Sequence, residues 1–333
     1  MRRFLYSSWI IFLTLAFVEP VFAQHETIYM SVLSSRKYRL NVSDNPLVGL
    51  FVSTDHGVTW HHRGWKEYIR VFYSEEASDG TIWSACGNGV LHSTDGGNRW
   101  RITSGWRMTE VLKVKTVPDH PRTVYAATAY GLFKSTDDGG TWVEKSLGLK
   151  LGFTSDVVID RSDERRIFVA TEQGVFRSTD AGASWSRVGL KENGIRTLLQ
   201  DPHDPEVIWA GTESNGVFRS PDRGETWVNL VDGLQYKTVY AIAVRPDSAS
   251  VVFAGTHDGG VYISRDGGRH WRQTNNGLTN HVVHALVILP SNPDVIFAGT
   301  LNGGLFRSTN GGSSWEFNSQ DEGQVWGLSV REQ

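Results

Sequence analysis

The 333-residue chain carries 33 Lys and Arg against 36 Asp and Glu, and a formal charge of −3 gives no footing for nucleic-acid binding. Its 35 glycines and 13 tryptophans, with little helical periodicity, point to an all-β protein rich in tight turns. The single cysteine, Cys86, excludes an internal disulfide, so packing alone must hold the fold.

Arg2 and Arg3 precede an apolar run from Trp9 to Val18, and Val21-Phe22-Ala23 ends in the small-residue pattern that signal peptidase cleaves. Residues 1–23 are expected to be an export signal, with an apolar part too short for a stable membrane span. Residues 24–333 are expected to form one mature domain, periplasmic or extracellular, with its charge shifted to −4 by the loss of Arg2, Arg3 and Glu19. No second apolar run follows, so no integral membrane segment is expected after cleavage.

The first extended run is TIYMSV at 27–32, with no strand ahead of it. From Tyr29 to Trp60 is 31 residues, against 17 or 18 in each later repeat, such as Phe253 to Trp271. The surplus is SSRKYRLNVSDNP, which holds Arg36, Lys37, Tyr38 and Arg39. Next comes STDHGVTW at 53–60, and this pattern recurs at 93–100, 135–142, 178–185, 220–227, 264–271 and 308–315. Its tryptophans, Trp60, Trp100, Trp142, Trp185, Trp227, Trp271 and Trp315, are spaced by 40 to 44 residues.

Each later box is preceded by an apolar run ending in small residues (TIWSACG, TVYAATA, RIFVATE, VIWAGTE, VVFAGTH, VIFAGTL) and a short run such as GVFRS. A further apolar run stands ahead of these, and a polar strand follows the tryptophan, so each unit predicts four short strands, one propeller blade. VWGLSVR at 325–331 is a lone first strand after the last box. Pairing it into the N-terminal blade completes a seventh sheet and removes the exposed edges of an open array. The expected fold is a seven-bladed β-propeller.

These motifs resemble the Asp-box, or BNR repeat, shared by sialidases, two-domain xyloglucanases, sortilin-type receptors and the propeller factors that assist photosystem II assembly. The resemblance covers all seven blades and implies the fold, while those families do unrelated things. Within the box, the acid at the third position (Asp55, Asp95, Asp137, Asp180, Asp222, Asp266) suits an Asx-type turn, and the glycine two residues on permits positive φ. The tryptophan is expected to cover the base of its own hairpin. Asn310 replaces the acid in the seventh box and makes the same turn as a poorer cation ligand, so the box is read as scaffold, with no metal or other cofactor.

The resemblance further implies a ligand face opposite the boxes, built from second-to-third strand loops and blade-to-blade loops. On it the insertion with Arg36, Lys37, Tyr38 and Arg39 is either a tolerated loop or a basic, aromatic lip for an acidic partner. Trp65, Trp106, Phe153 and Tyr236, with Arg107 beside Trp106, are either inter-blade packing or contacts for a sugar or peptide. The starts of the first strands align Arg70, Leu112, Ser155, Arg196, Tyr240, His284 and Trp326 around the channel mouth, either a polar binding funnel or a water-filled opening with structural pairing.

A sialidase would need three arginines, an Arg-Ile-Pro motif and a Tyr/Glu pair on six blades. Arg70 and Arg196 offer two arginines, and there is no Arg-Ile-Pro. The acidic signature of two-domain xyloglucanases is absent, and the candidate carboxylates Glu110, Asp156, Glu172, Glu213 and Asp258 fall on different blades. The arginine cluster of the assembly-factor family is here interleaved with Glu67, Glu110, Glu192 and Glu213. The expectation is a monomeric, exported, non-catalytic propeller that binds a protein or glycan partner. A glycoside hydrolase or lyase on the same scaffold is the alternative.

Overall fold

A computed structural model of the chain describes residues 26–35, 48–64, 69–146 and 152–332. The expected export signal, Arg36, Lys37, Tyr38, Arg39 and Trp65 lie outside the described residues.

Second strands such as Ile167–Thr171, Ile208–Thr212 and Ile296–Thr300 are buried along their whole length. Both faces of such a strand meet neighbouring sheets, which is why these segments are apolar or small at every position rather than at every other one. Fourth strands are two to four residues long and mostly exposed, as in Arg101–Ile102 and Glu316–Ser319. Brevity of these outermost strands leaves little free edge for pairing with another chain.

The described residues form seven four-stranded sheets and no helix. Counting blades from the sheet that contains Glu26–Ser35, the innermost strands are Gly323–Glu332, Val71–Glu76, Val111–Val117, Thr154–Ile159, Ile195–Gln200, Val239–Arg245 and Val283–Ile288. The core lies between blades. Phe253 and Ile263 of blade six pack with Val283, Ile296 and Trp315 of blade seven. Where blades converge towards the axis, side chains must shrink. A Cβ on Gly211, Gly255 or Gly299 would fall 2.8, 2.7 or 2.6 Å from Val239, Val283 or Val325 of the next blade. This accounts for the small residues that end each second strand.

The ring closes as the sequence requires. Gly323–Glu332 pairs antiparallel with Glu26–Ser35, from Glu26 opposite Glu332 to Ser35 opposite Gly323. A second tie crosses the same seam: the buried carboxylate of Glu26 accepts hydrogen bonds from the backbone N–H and the hydroxyl of Ser291, both at 2.6 Å. Blade one therefore draws strands from both ends of the described chain and reaches the same four-strand count as the other six sheets.

Candidate functional site

The Asp-box carboxylates are already bonded within their own turns. In the third box Ser135 Oγ donates to Asp137 Oδ1 at 2.8 Å and accepts from Gly139 N at 2.9 Å. Asp137 also accepts from Thr141 N at 2.8 Å and Thr141 Oγ1 at 2.9 Å. The same scheme holds Asp55, Asp95, Asp180, Asp222 and Asp266. Donors aimed at a carboxylate favour its charged form, so these groups sit below the usual aspartate range; for Asp137 the Thr141 N–H is the leading cause. Asn310 keeps the pattern, accepting from Ser314 N at 2.9 Å and donating to Ser314 Oγ at 2.8 Å.

The tryptophans do more than the sequence suggests. Trp100 and Trp227 donate within their own turns, to Gly97 O at 2.9 Å and Gly224 O at 3.1 Å, and each box tryptophan also reaches back to the preceding blade. Trp100 Nε1 donates to Arg63 O at 2.7 Å, Trp142 to Thr103 O at 3.1 Å, Trp185 to Lys145 O at 2.7 Å and Trp227 to Val188 O at 3.0 Å. Trp271 and Trp315 likewise reach Leu230 O at 3.0 Å and Thr274 O at 2.7 Å. Trp60 crosses the closing seam to Asn318 Oδ1 at 2.8 Å. The box is a rivet between blades. A pattern within one repeat does not show which neighbour a side chain will meet.

On the opposite face the central channel, about 580 Å³, is opened by a repeated defect in pairing. Each innermost strand carries a one-residue bulge near its start, at Trp326, Phe72, Leu112, Ser155, Arg196, Tyr240 and His284. A bulged residue is left out of the ladder and its side chain is re-aimed, and all seven line the channel. Six of them match the sequence alignment. Arg70 does not: Val71 pairs with Cys86 and Tyr73 with Ala85, so Phe72 bulges, and Arg70 stands exposed ahead of the strand. The mouth has one arginine fewer than expected and one more aromatic ring.

Four of these rings form an arc over consecutive blades. Tyr240 stacks on His284 at 4.3 Å between ring centres, and His284 stacks on Trp326 at 4.1 Å. Phe72 meets Trp326 edge to face at 5.7 Å. Burial, with a smaller contribution from His257, lowers the His284 pKa to about 3, so its imidazole stays neutral. Arg196 closes the arc: it binds Glu213 Oε2 at 2.6 Å and lies over the Phe153 ring at 5.6 Å.

Deeper in the channel the carboxylates are engaged. Glu75 accepts from Lys115 Nζ at 2.6 Å, Thr116 N at 2.6 Å and Thr116 Oγ1 at 3.0 Å. Asp156 accepts from Val157 N at 2.9 Å and Leu198 N at 3.1 Å, with Lys113 Nζ at 3.7 Å. Glu76 accepts the hydroxyl of Tyr29. Burial alone would lower the Lys115 pKa; the Glu75 carboxylate and Tyr73 outweigh it and raise the group above the ordinary lysine value. Of the other face carboxylates, Glu110 and Glu172 are exposed, and Asp258 lies 3.5 Å from His257.

The surrounding loops present Trp106, 82% exposed with Arg107 5.3 Å from its ring centre, and Tyr236, 41% exposed. Tyr130, 59% exposed, belongs with them and was missed because it sits in a two-residue hairpin turn that carries no insertion. Among the described residues no group of three or more His, Cys, Asp or Glu is placed to hold a metal.

Comparison with known proteins bears on this arrangement. The BNR/Asp-box repeat family matches residues 51–62, and the Sortilin-Vps10 family matches residues 215–327. The protein is a seven-bladed Asp-box propeller. The propeller is 35% identical over 79 residues to a probable oligoxyloglucan-reducing end-specific xyloglucanase of Neosartorya fischeri, a match covering 19% of this chain and 9% of that protein. In structure it is similar to a GH74 enzyme of Niastella koreensis (TM-score 0.69, 16% identity, 89% of this chain and 55% of that one). It is also similar to the GH74 xyloglucanase of Xanthomonas campestris (TM-score 0.68, 16% identity, 90% and 53%). The propeller thus spans about half of those enzymes. YCF48 of Cyanidioschyzon merolae is similar over 86% of this chain and 94% of its own (TM-score 0.59, 18% identity), and YCF48 bound to D1 peptide is similar over 79% and 94% (TM-score 0.57, 16% identity). At these identities the structural likeness concerns the fold.

Proposed function

We propose that the propeller is a non-catalytic binding module, exported by way of residues 1–23, that holds a protein or glycan partner on the face around its channel mouth. The observation that carries this reading is an asymmetry of occupancy. The channel's carboxylates Glu75, Glu76 and Asp156 are spent on lysines, hydroxyls and backbone N–H groups, while polar tips of the mouth ring stay open. A glycosidase needs a carboxylic acid and a second carboxylate free to face the scissile bond, and those of the channel are already tied down. A likeness in length to YCF48, one structure of which holds a peptide, fits the same reading.

A glycoside hydrolase is the second reading, favoured by the local identity to a probable xyloglucanase. One experiment separates the two. Purified protein is applied to a glycan array and to a pull-down from the exported fraction of its host, and in parallel is incubated with xyloglucan oligosaccharides while new reducing ends are measured. Retention of a partner without new reducing ends is expected. Turnover above the buffer control would replace binding by hydrolysis.

A further inference from the structure

We propose that the channel mouth receives an uncharged, amide-bearing side chain of a partner polypeptide, read by the polar tips of Tyr240, His284 and Trp326. This rests on the binding-module reading and adds the partner's chemistry. It begins from what the three rings leave unused. Among the described residues Tyr240 Oη, the ring nitrogens of His284 and Trp326 Nε1 have no hydrogen-bond partner, yet none of these atoms is sealed from solvent, and all three residues line the channel. Together they offer one O–H donor and an acceptor oxygen on the hydroxyl, one N–H and one bare nitrogen on a neutral imidazole, and one indole N–H.

The faces of the rings are a different matter. His284 is covered on one side by Tyr240, at an interplanar angle of 10°, and on the other by Trp326, at 29°. Phe72 stands edge-on to Trp326 at 85°. A sugar is gripped by laying its apolar face on an open aromatic face; His284 has neither face free, and Tyr240 and Trp326 each spend one face on it, with His257 and Phe72 nearly at right angles to them at 5.9 and 5.7 Å. What remains is a row of hydrogen-bonding edges, held rigid by stacking, with both donor and acceptor character. A carboxamide, which carries an N–H donor and a C=O acceptor side by side, matches that row.

Charge decides between an amide and a carboxylate. The single arginine of the ring already faces Glu213 at 2.6 Å, and its Nε is buried away from any acceptor. At the ring a carboxylate gives up water without gaining an unpaired counter-charge, since Arg196 faces Glu213 and the nearby Lys113 and Lys115 face Asp156 and Glu75, and it meets the bare nitrogen of His284 as a second acceptor. Burial keeps that imidazole neutral, as its lowered pKa indicates.

The test uses a random 12-residue peptide library displayed on phage and panned on the intact protein. Selected peptides are then measured against Tyr240→Phe, His284→Phe and Trp326→Phe, which keep an aromatic ring in each place of the stack and remove its polar atoms. Tyr240→Phe removes a single oxygen and guards against loss of folding in the other two. The expected result is selected peptides bearing a required Asn or Gln, whose affinity falls at least tenfold in each variant at unchanged melting temperature. Replacing that amide by Asp or Glu is expected to weaken binding by a similar factor. Peptides that bind all three variants like the parent would overturn the proposal and leave the binding-module reading standing. Equal binding of the carboxylate peptide, or saccharide binding that the three variants abolish, would also overturn it. Hydrolysis of xyloglucan oligosaccharides by the intact protein would remove the reading beneath it.

Discussion

Truncating one rivet should loosen the ring at one seam. Trp315 is 2% exposed, packs against Phe253, Val283 and Ile296, and donates from Nε1 to Thr274 O at 2.7 Å. A buried tryptophan removes about 150–250 Å² from water, which at about 25 cal/mol per Å² amounts to an upper bound of roughly 4–6 kcal/mol. Truncations of buried aromatics to alanine cost about 3–5 kcal/mol, so Trp315→Ala should cost about 4 kcal/mol. For a domain of this size that corresponds to a fall in melting temperature on the order of 10 °C. Trp315→Phe keeps most of the buried area and strands the Thr274 carbonyl, for a loss of about 1–2 kcal/mol. Thermal melting followed by circular dichroism reads both, and amide exchange should show protection lost first in blades six and seven. An alanine variant that melts within about 2 °C of the parent, or a phenylalanine variant as costly as alanine, would refute the burial argument.

Asp137→Asn should melt close to the parent, because Asn310 already fills this place in the seventh box, whereas Asp137→Ala should melt several degrees lower; chelator should change neither, and a drop on adding EDTA would contradict the scaffold role. At the closing seam Glu26→Ala strands the N–H and hydroxyl of Ser291 and should cost about 2–3 kcal/mol in urea unfolding. Acid should destabilise the fold in two windows. The His284 pKa is lowered from 6.5 to about 3 by burial and His257, so the unfolded chain takes up the proton first and stability falls as pH drops from 6.5 towards 3. Burial alone would raise the Asp55 pKa, but hydrogen bonds led by the Thr59 hydroxyl hold it at about 2, so its contribution is present above 3.8 and lost as pH falls towards 2. Unfolding midpoints measured across pH should show His284→Phe reducing the slope of the upper window, to which His62 and His92 also contribute, and leaving the lower one unchanged; a variant that keeps both slopes would disprove the assignment.

The blades were legible because each must solve the same local problem. A turn with an acid three places into STDHGVTW, a glycine at positive φ such as Gly57 and a tryptophan after it leave the same trace six times, and a seventh with Asn310 in place of the acid. Closure was legible too, since TIYMSV lacked a first strand and VWGLSVR lacked a blade. Six of the seven ring residues followed from repeat alignment. Arg70 misled because the bulge is set by which residue of Val71–Glu76 pairs with Cys86, a matter of register that the run VFYSEE leaves open.

What the amino-acid order determined by itself was the number of blades, the four-strand plan and the joining of the ends, all of which are periodic and local. Only the tertiary structure decided that box tryptophans rivet neighbouring blades. It alone brought Tyr240, His284, Trp326 and Phe72 from four blades into one aromatic cluster, with His284 enclosed between two rings. The physical reason is distance along the chain: these contacts join residues about a repeat or more apart, and blade stacking brings them within reach, aided by ring closure for Trp60 with Asn318 and Phe72 with Trp326.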